Sequence, residues 1–510
     1  MLQIRHLTIT HRQDLRPLLE DFSFSLRPGD RAAVIGEEGN GKSTLLKLIA
    51  DESLVAGYAA YTGEILRDGM RPGYLSQELT GAERASSVYA FCLQEPAFLD
   101  REPRELSEIA AALGLPPALL YDDRPVSTLS GGEQVKLRLA RLLAARPDFL
   151  LLDEPSNDLD LDTLTWLEAY LLACPLPVLY ISHDETLLEH TANVVIHLEL
   201  LRRKTVPRAT VARMPYRQYV DQRLSLQARQ EQMARKEKAD QEKQMEKYRR
   251  IYQRVEHEQN VISRQDPGGA RLLKKKMKAV KSMGRRFERQ AEDATPMPEA
   301  EEAIFACFPE SAALPAGKPV IDYSLEVLRM GDRVLAEGIR LTVTGPEKIG
   351  ITGQNGVGKT TLLRALAAEL LARPELKAAY MPQNYEEGLT MARTPVELLS
   401  AVGDREEQTR IRTLLGSLKY PPEEMEHPAG ALSGGQKAKL YFVKMILAGS
   451  RVLLLDEPTR NFSPLSNPVI RQVLREYRGA VISVSHDRKF LEEVCDRVYR
   501  LTPEGLRRTR

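Results

Sequence analysis

Ala33-Val34-Ile35-Gly36-Glu37-Glu38-Gly39-Asn40-Gly41-Lys42-Ser43-Thr44 decides the fold of this chain. An apolar run enters G-x-x-x-x-G-K-S, and Leu45-Leu46-Lys47-Leu48-Ile49 leaves it as a helix. Strand, glycine loop and helix in that order predict an α/β unit whose loop wraps phosphate oxygens. Gly36, Gly39 and Gly41 let backbone N–H groups turn inward, and the helix N-terminus adds its positive end. Lys42 can reach outer phosphates, the Ser43 hydroxyl can ligate Mg2+, and Thr44 follows in the contact set.

Working outward, Gly73-Tyr74-Leu75-Ser76-Gln77 reads as a strand ending in a glutamine that means nothing alone. Leu129-Ser130-Gly131-Gly132-Glu133 then opens an amphipathic helix, where a serine cap and two glycines offer free N–H donors to an anion. Phe149-Leu150-Leu151-Leu152 is a buried strand that delivers Asp153 and Glu154 at its C-terminal edge, where open α/β sheets bind ligands. Asp153 suits Mg2+, and Glu154 suits a general base or a residue that orients water. Val178-Leu179-Tyr180-Ile181 ends near His183, a placement that by itself is more often structural.

The same order recurs. Gly353, Gly356, Gly358, Lys359, Thr360 and Thr361 form a second phosphate loop, followed by Gln383, Ser433-Gly434-Gly435, Asp456-Glu457 and His486. The last three motifs each lie 303 positions after their counterparts, which marks an internal duplication.

Between the copies the composition changes. Residues 201–295 hold 26 Lys and Arg against 12 Asp and Glu, inside a chain whose net charge is only +1. Met245, Tyr248, Tyr252, Val255, Gln259 and Ile262 recur at steps of three and four, with only Gln259 polar. Leu273, Met277, Val280, Gly284, Phe287 and Ala291 repeat the rhythm after Asp266-Pro267-Gly268-Gly269. The pattern predicts an antiparallel helical hairpin that reverses at Pro267 and the two glycines, its first helix reaching back to about Tyr216. Arg264, Arg271, Lys274, Lys275, Lys276, Lys278, Lys281, Arg285 and Arg286 crowd one end, as expected of a nucleic-acid contact. The domains expected are therefore 1–212, a basic linker at 213–293, and 294–510.

Other features exclude alternatives. No apolar run approaches the length of a membrane span, and no signal peptide pattern opens the chain. Cys92, Cys174, Cys307 and Cys495 are scattered without a CxxC pair, so neither zinc nor iron–sulfur chemistry is indicated. A reduced, cytoplasmic protein is expected.

Taken together, the motifs resemble the ATP-binding cassette family: phosphate loop, Q-loop glutamine, LSGGQ signature, Walker B with its glutamate, D-loop and switch histidine. Two cassettes and a charged helical linker in one chain are similar to its ABC-F branch. The fold implied is α/β, two tandem P-loop cassettes joined by a long helical hairpin. The resemblance implies an ATPase using ATP and Mg2+, with Glu154, Glu457, His183 and His486 as catalytic residues. It implies Mg2+ at Ser43, Gln77, Asp153, Thr360, Gln383 and Asp456. Each ATP would lie between one phosphate loop and the other copy's signature, Ser130-Gly131-Gly132 or Ser433-Gly434-Gly435, within a monomer. The linker of that family enters the ribosome near the peptidyl-transferase centre, touching tRNA and rRNA, and some members protect ribosomes from antibiotics.

Three departures stand out. An aromatic residue that stacks on adenine is common in the family, whereas here Met330 takes that place in copy two and copy one offers only the poorly placed His11 or Gln13. The D-loop of copy one reads Ser156-Asn157-Asp158-Leu159-Asp160, but copy two puts Ser463 where an aspartate is usual, which implies unequal sites. Neither cassette has room for a large extra arm between its glutamine and its signature. Three alternatives compete. They are a transporter ATPase subunit with a separate membrane partner, a DNA-repair ATPase and a nucleotide-binding scaffold. The basic hairpin has no use in the first, inserted coiled coils or zinc cysteines are missing for the second, and both glutamates argue against the third.

Overall fold

The computed structural model describes residues 1–201, 205–261, 267–292, 308–401, 403–418 and 420–510. Each copy is built on a six-stranded, mostly parallel sheet. In the first the order is Pro72–Leu75, Phe149–Asp153, Val178–Ile181, Arg31–Ile35, Val194–Leu200 and Val206–Ala212, the last strand antiparallel. The second repeats it with Ala378–Met381, Val452–Asp456, Ala480–Val484, Lys348–Gly353, Arg497–Thr502 and Gly505–Arg508. Uninterrupted runs such as Phe149–Asp153 are buried throughout because helices cover both faces of a parallel sheet. An antiparallel layer packs beside each: Leu2–His11, Pro17–Leu26 and Ala59–Leu66 in the first, Pro319–Met330 and Arg333–Thr344 in the second.

This topology gathers the motifs at one sheet edge. The phosphate loop follows a central strand in each copy, and the Asp-Glu pair ends the strand two places away. The glycines are required by the backbone. Gly36 has φ +145°, and a Cβ there would lie 2.1 Å from the Leu198 carbonyl oxygen. Glu154 and Glu457 also sit at positive φ, 51° and 52°. A non-glycine residue held there costs about 1–3 kcal/mol, and such strain concentrates at functional sites.

The copies face each other within one compact unit, Met1–Tyr216 with Glu301–Arg510. Glu168 and Glu185 in the first have Arg471 and Arg488 as counterparts 303 positions on. Across the seam Arg471 meets Glu185 at 2.6 Å and Arg488 meets Glu168 at 2.9 Å. Opposite charges at equivalent positions make each copy fit the other rather than itself. The Arg471 side chain is only 3% exposed and also holds Glu493 at 2.9 Å. Arg471→Met should therefore destabilise the chain by about 3 kcal/mol, the low end for a broken buried pair because Lys489 still reaches Glu185. Thermal unfolding checks this, and an unchanged midpoint would count against the pair.

Arg217–Ala300 form a second unit. Its helices are Tyr216–Val261 and Pro267–Glu292. They run antiparallel: Tyr248 packs on Gly284 and lies edge-on to Phe287, while Glu258 faces Lys276 at 3.9 Å. The expected apolar stripes are the packed faces, with Val255, Leu273 and Val280 buried. Pro267, Gly268 and Gly269 do not form the reversal that the sequence suggested. Pro267 opens the second helix, where its missing N–H costs nothing, and Gly268 and Gly269 follow within it. Residues 262–266, including Arg264, lie outside the described residues, as does Cys307. Arg213, the first residue of the expected linker, belongs to the cassette unit, with its guanidinium on Asp30 at 3.0 Å.

Candidate functional site

Two cavities open along the seam, each walled by both copies. One, of about 750 Å³, is lined by Gly39, Gly41, Lys42, Ser43, Thr44, Gln77, Glu154 and His183 from the first copy and by Gly434 and Asn461 from the second. The other, of about 600 Å³, is lined by Gly356, Gly358, Lys359, Thr360, Thr361, Gln383, Asp456, Glu457 and His486, with Gly131 and Asp158 opposite. Each phosphate loop thus faces the other copy's signature helix. His11 lines the first cavity after all, beside Tyr58, whose ring no sequence signal placed there. Met330 lines the second.

Within each loop the lysine spans the backbone it must serve. Lys42 Nζ donates to the Gly36 and Glu37 carbonyls at 2.8 and 2.9 Å, and Lys359 does the same to Gly353 and Gln354 at 2.9 and 3.0 Å. Ser43 Oγ donates to Asp153 Oδ1 at 2.9 Å, and Tyr74 holds the other carboxylate oxygen at 3.2 Å. Not every expected residue points into a cavity. Gly36 and Gly353 shape the loops from behind, and Gly132 packs on Thr163. The Ser130 and Ser433 hydroxyls cap their own helices.

The two glutamate–histidine pairs differ. Glu154 Oε1 lies 3.2 Å from His183 Nε2, while Asn157 donates to Oε2. His183 Nδ1 in turn meets the Phe462 carbonyl across the seam at 2.8 Å. Burial alone would raise the Glu154 carboxyl, but His183, Lys42 and Asn157 outweigh it and hold it at about 2. Glu457 keeps only the His486 backbone N–H, at 3.2 Å, and the ring Nε2 is 3.8 Å away. Burial therefore dominates, with Asp456 adding to it, and pushes Glu457 up to about 8. His486 is driven down to about 4 by burial and Lys359. Glu154 is held ionised and its histidine bridges the seam, whereas Glu457 and His486 are both shifted toward their neutral forms.

Several participants were missed in the sequence. Glu38 accepts from the Gly435 N–H of the opposing signature at 2.7 Å. Arg460 crosses to Asp158 at 2.8 Å and lines both cavities. Glu37 turns its carboxylate onto Ser463 at 2.9 Å. A signal existed: at the loop spacing of 317, Glu37 and Glu38 stand against Gln354 and Asn355, two acids in place of two amides.

A family model described as "ABC transporter" matches residues 19–157 and 336–460, more than half of the chain. The "ATP-binding cassette sub-family F member 3" of Mus musculus is 30% identical over 522 residues, covering 95% of this chain and 69% of that protein. This chain belongs to sub-family F of the ATP-binding cassette proteins. The sub-family F chain is also 29% identical over 519 residues to the "Probable ATP-binding protein YheS" of Escherichia coli (strain K12), covering 96% of itself and 77% of that protein. Its fold matches an archaeal ribosome recycling factor, aABCE1, solved with a ribosomal stalk protein. The TM-score is 0.59 at 18% identity, over 99% of this chain and 89% of that one. Among the described residues of this sub-family F protein no helix is long and apolar enough to cross a membrane. It is an ATPase, and its nucleotides bind through the cassettes.

In this sub-family F chain the Glu38 carboxylate lines the same cavity as Lys42, Ser43 and Thr44. Two like charges 4 Å apart repel by about 1 kcal/mol even in water. Glu38→Asn, which installs the second loop's residue, should tighten triphosphate binding at the Lys42 site by about fivefold. Titration in a Lys359→Ala background isolates that site, and unchanged affinity would remove Glu38 from it.

Proposed function

We propose that the chain is a cytoplasmic, ribosome-acting ATPase whose basic hairpin contacts rRNA or tRNA near the peptidyl-transferase centre. The observation that carries this reading is the outer face of the hairpin. Arg271, Lys274, Lys275, Lys276, Lys278, Lys281, Arg285 and Arg286 are all exposed around a buried apolar seam. A face of that charge suits a polyanion and has no use against a transporter's membrane subunit. Structures with this fold include archaeal ABCE1 in a ribosome-bound complex with Pelota, which is consistent with the reading.

In the proposed cycle each nucleotide lies between a phosphate loop and the opposing signature. Glu154 and Glu457 orient or activate water, and His183 and His486 hold them in place. Mg2+ fits the donors present: both carboxylate oxygens of Asp456 and one of Glu457 are buried without a well-formed hydrogen bond, beside the Thr360 hydroxyl. Ser43 with Asp153, and Thr360 with Asp456, would hold the ion together with substrate phosphates, and Gln77 and Gln383 would complete its surroundings. The ion would neutralise charge on the transferred phosphoryl group. The protein is proposed to work as a monomer, its own cassettes closing on each other.

Disruption of the gene, followed by a polysome profile and a panel of drugs acting at the peptidyl-transferase centre, tests the reading. A changed profile supports a general translation factor, and drug sensitivity alone supports ribosome protection. No change in either contradicts both.

A further inference from the structure

At the register of Asp160 and Ser463 each seam between phosphate loop and D-loop holds a carboxylate, the two coming from opposite sides, beside Asp158 at the Lys359 site and Glu38 at the Lys42 site. At the Lys359 site it is Asp160, in the D-loop of the first cassette. Asp160 Oδ1 accepts from the Thr163 N–H at 2.9 Å and from the Thr163 hydroxyl at 2.7 Å, starting the helix Leu161–Ala173. It also reaches the Asn355 backbone N–H of the opposing phosphate loop. At the Lys42 site the D-loop counterpart is Ser463, which carries no charge, and the counterpart of Thr163 is Ser466. Here the carboxylate is Glu37, in the phosphate loop, where the second loop has Gln354. Ser463 Oγ donates to Glu37 Oε1 at 2.9 Å, and Ser466 Oγ donates to the same oxygen.

We propose that Glu37 is a positioning residue that does from the phosphate loop what Asp160 does from the D-loop, locking the Lys42 site to the opposing cassette when the two close. This rests on the two-site reading given above. The environment is built for it. Glu37 is 8% exposed, Lys439 of the second cassette is equally buried, and Ser463 and Ser466 are buried beside them. Burial opposes the charge of Glu37, but Lys439, both serines and Lys42 outweigh it and hold its carboxyl below the usual range. Removing the acid would take the shared acceptor from Ser463 and Ser466 and a counter-charge from Lys439, whereas a second acid at position 463 would set two carboxylates against each other. At this register each site sets one acid against one uncharged residue, Asp160 against Gln354 and Glu37 against Ser463. Because its partners belong to the other cassette, the Glu37 contact exists only in the closed arrangement, which ties the first phosphate loop to closure.

A transposition cycle tests this. Glu37→Gln, Ser463→Asp and the double variant are made in a Glu457→Gln background, so that turnover reports the Lys42 site. With a non-hydrolysable ATP analogue bound, hydrogen exchange of the amides at the start of the helix Asn467–Glu476 reports the closed seam. Each single variant should exchange about tenfold faster there and lose turnover in proportion, since a hydrogen bond to a charged group contributes about 1.5–3 kcal/mol. The double variant recreates the Gln354–Asp160 arrangement and should return to within about threefold of the parent, a coupling expected only of direct partners. Glu37→Gln is isosteric, and exchange in the distant strands serves as its folding control. Effects in the double variant that simply add would overturn the proposal. If the chain keeps full turnover with both Glu154 and Glu457 replaced, the catalytic reading falls, while the exchange cycle still decides the role of Glu37.

Discussion

Replacing Glu154 and Glu457 together by glutamine should lower ATP turnover at least about a hundredfold, the effect of removing a general base, and leave nucleotide binding intact. The expectation follows from geometry that the two sites share. Each glutamate follows an aspartate at a strand end, is held at positive φ, and opens onto a cavity that also contains the loop lysine's site and a histidine. Glutamine keeps the shape and loses the basicity, so the closed arrangement should persist and even accumulate. The single variants should differ. Glu154 is held ionised by His183 and Asn157, whereas burial shifts Glu457 toward its neutral form. Single-turnover phosphate release in each variant reads this directly. Full activity in the double variant would remove both residues from the chemistry.

The second large effect concerns the hairpin. Changing Lys274, Lys275, Lys276 and Lys278 to glutamine should weaken ribosome binding and flatten its salt dependence. If all four touch phosphates, the logarithmic salt slope should fall by about three to four units. Between 50 and 200 mM salt that is about a hundredfold of affinity. All four side chains are exposed, Lys276 beside Glu258 at 3.9 Å, and the packed stripe of Leu273, Met277 and Val280 is left intact, so the helix pair should keep its fold. ATP turnover without ribosomes should not change. Binding that keeps its full salt dependence would reduce this face to a solvated surface.

How much of this was legible depended on how local each signal is. A phosphate loop declares itself because strand, glycines, lysine and helix are consecutive, and the duplication made Gln383 and His486 readable through their counterparts. The hairpin was legible because its apolar period stays in step on both helices. Its turn was misplaced because proline and glycine mark a reversal and a helix start equally well, and here Pro267 occupies the start. Contacts across the seam were the hardest to read. Glu37 with Ser463, Glu38 with Gly435 and Arg471 with Glu185 join residues roughly 300 to 430 positions apart, and no periodicity couples them. Aligning the two copies position by position exposes them, since the exchanged acids and bases fall at equal spacing. The replacement of aspartate by Ser463 looked like a loss in one D-loop. The carboxylate had moved across the interface to Glu37, where the single-copy reading did not look.

The most direct measurement of the central claim is sedimentation of the Glu154→Gln, Glu457→Gln double variant through a sucrose cushion with ribosomes, with and without ATP. The account predicts that the protein pellets with ribosomes in an ATP-dependent manner, and that the same variant lacking the four lysines stays in the supernatant at moderate salt. A protein that ignores ribosomes with ATP present, or pellets instead with membranes stripped of them, would contradict it.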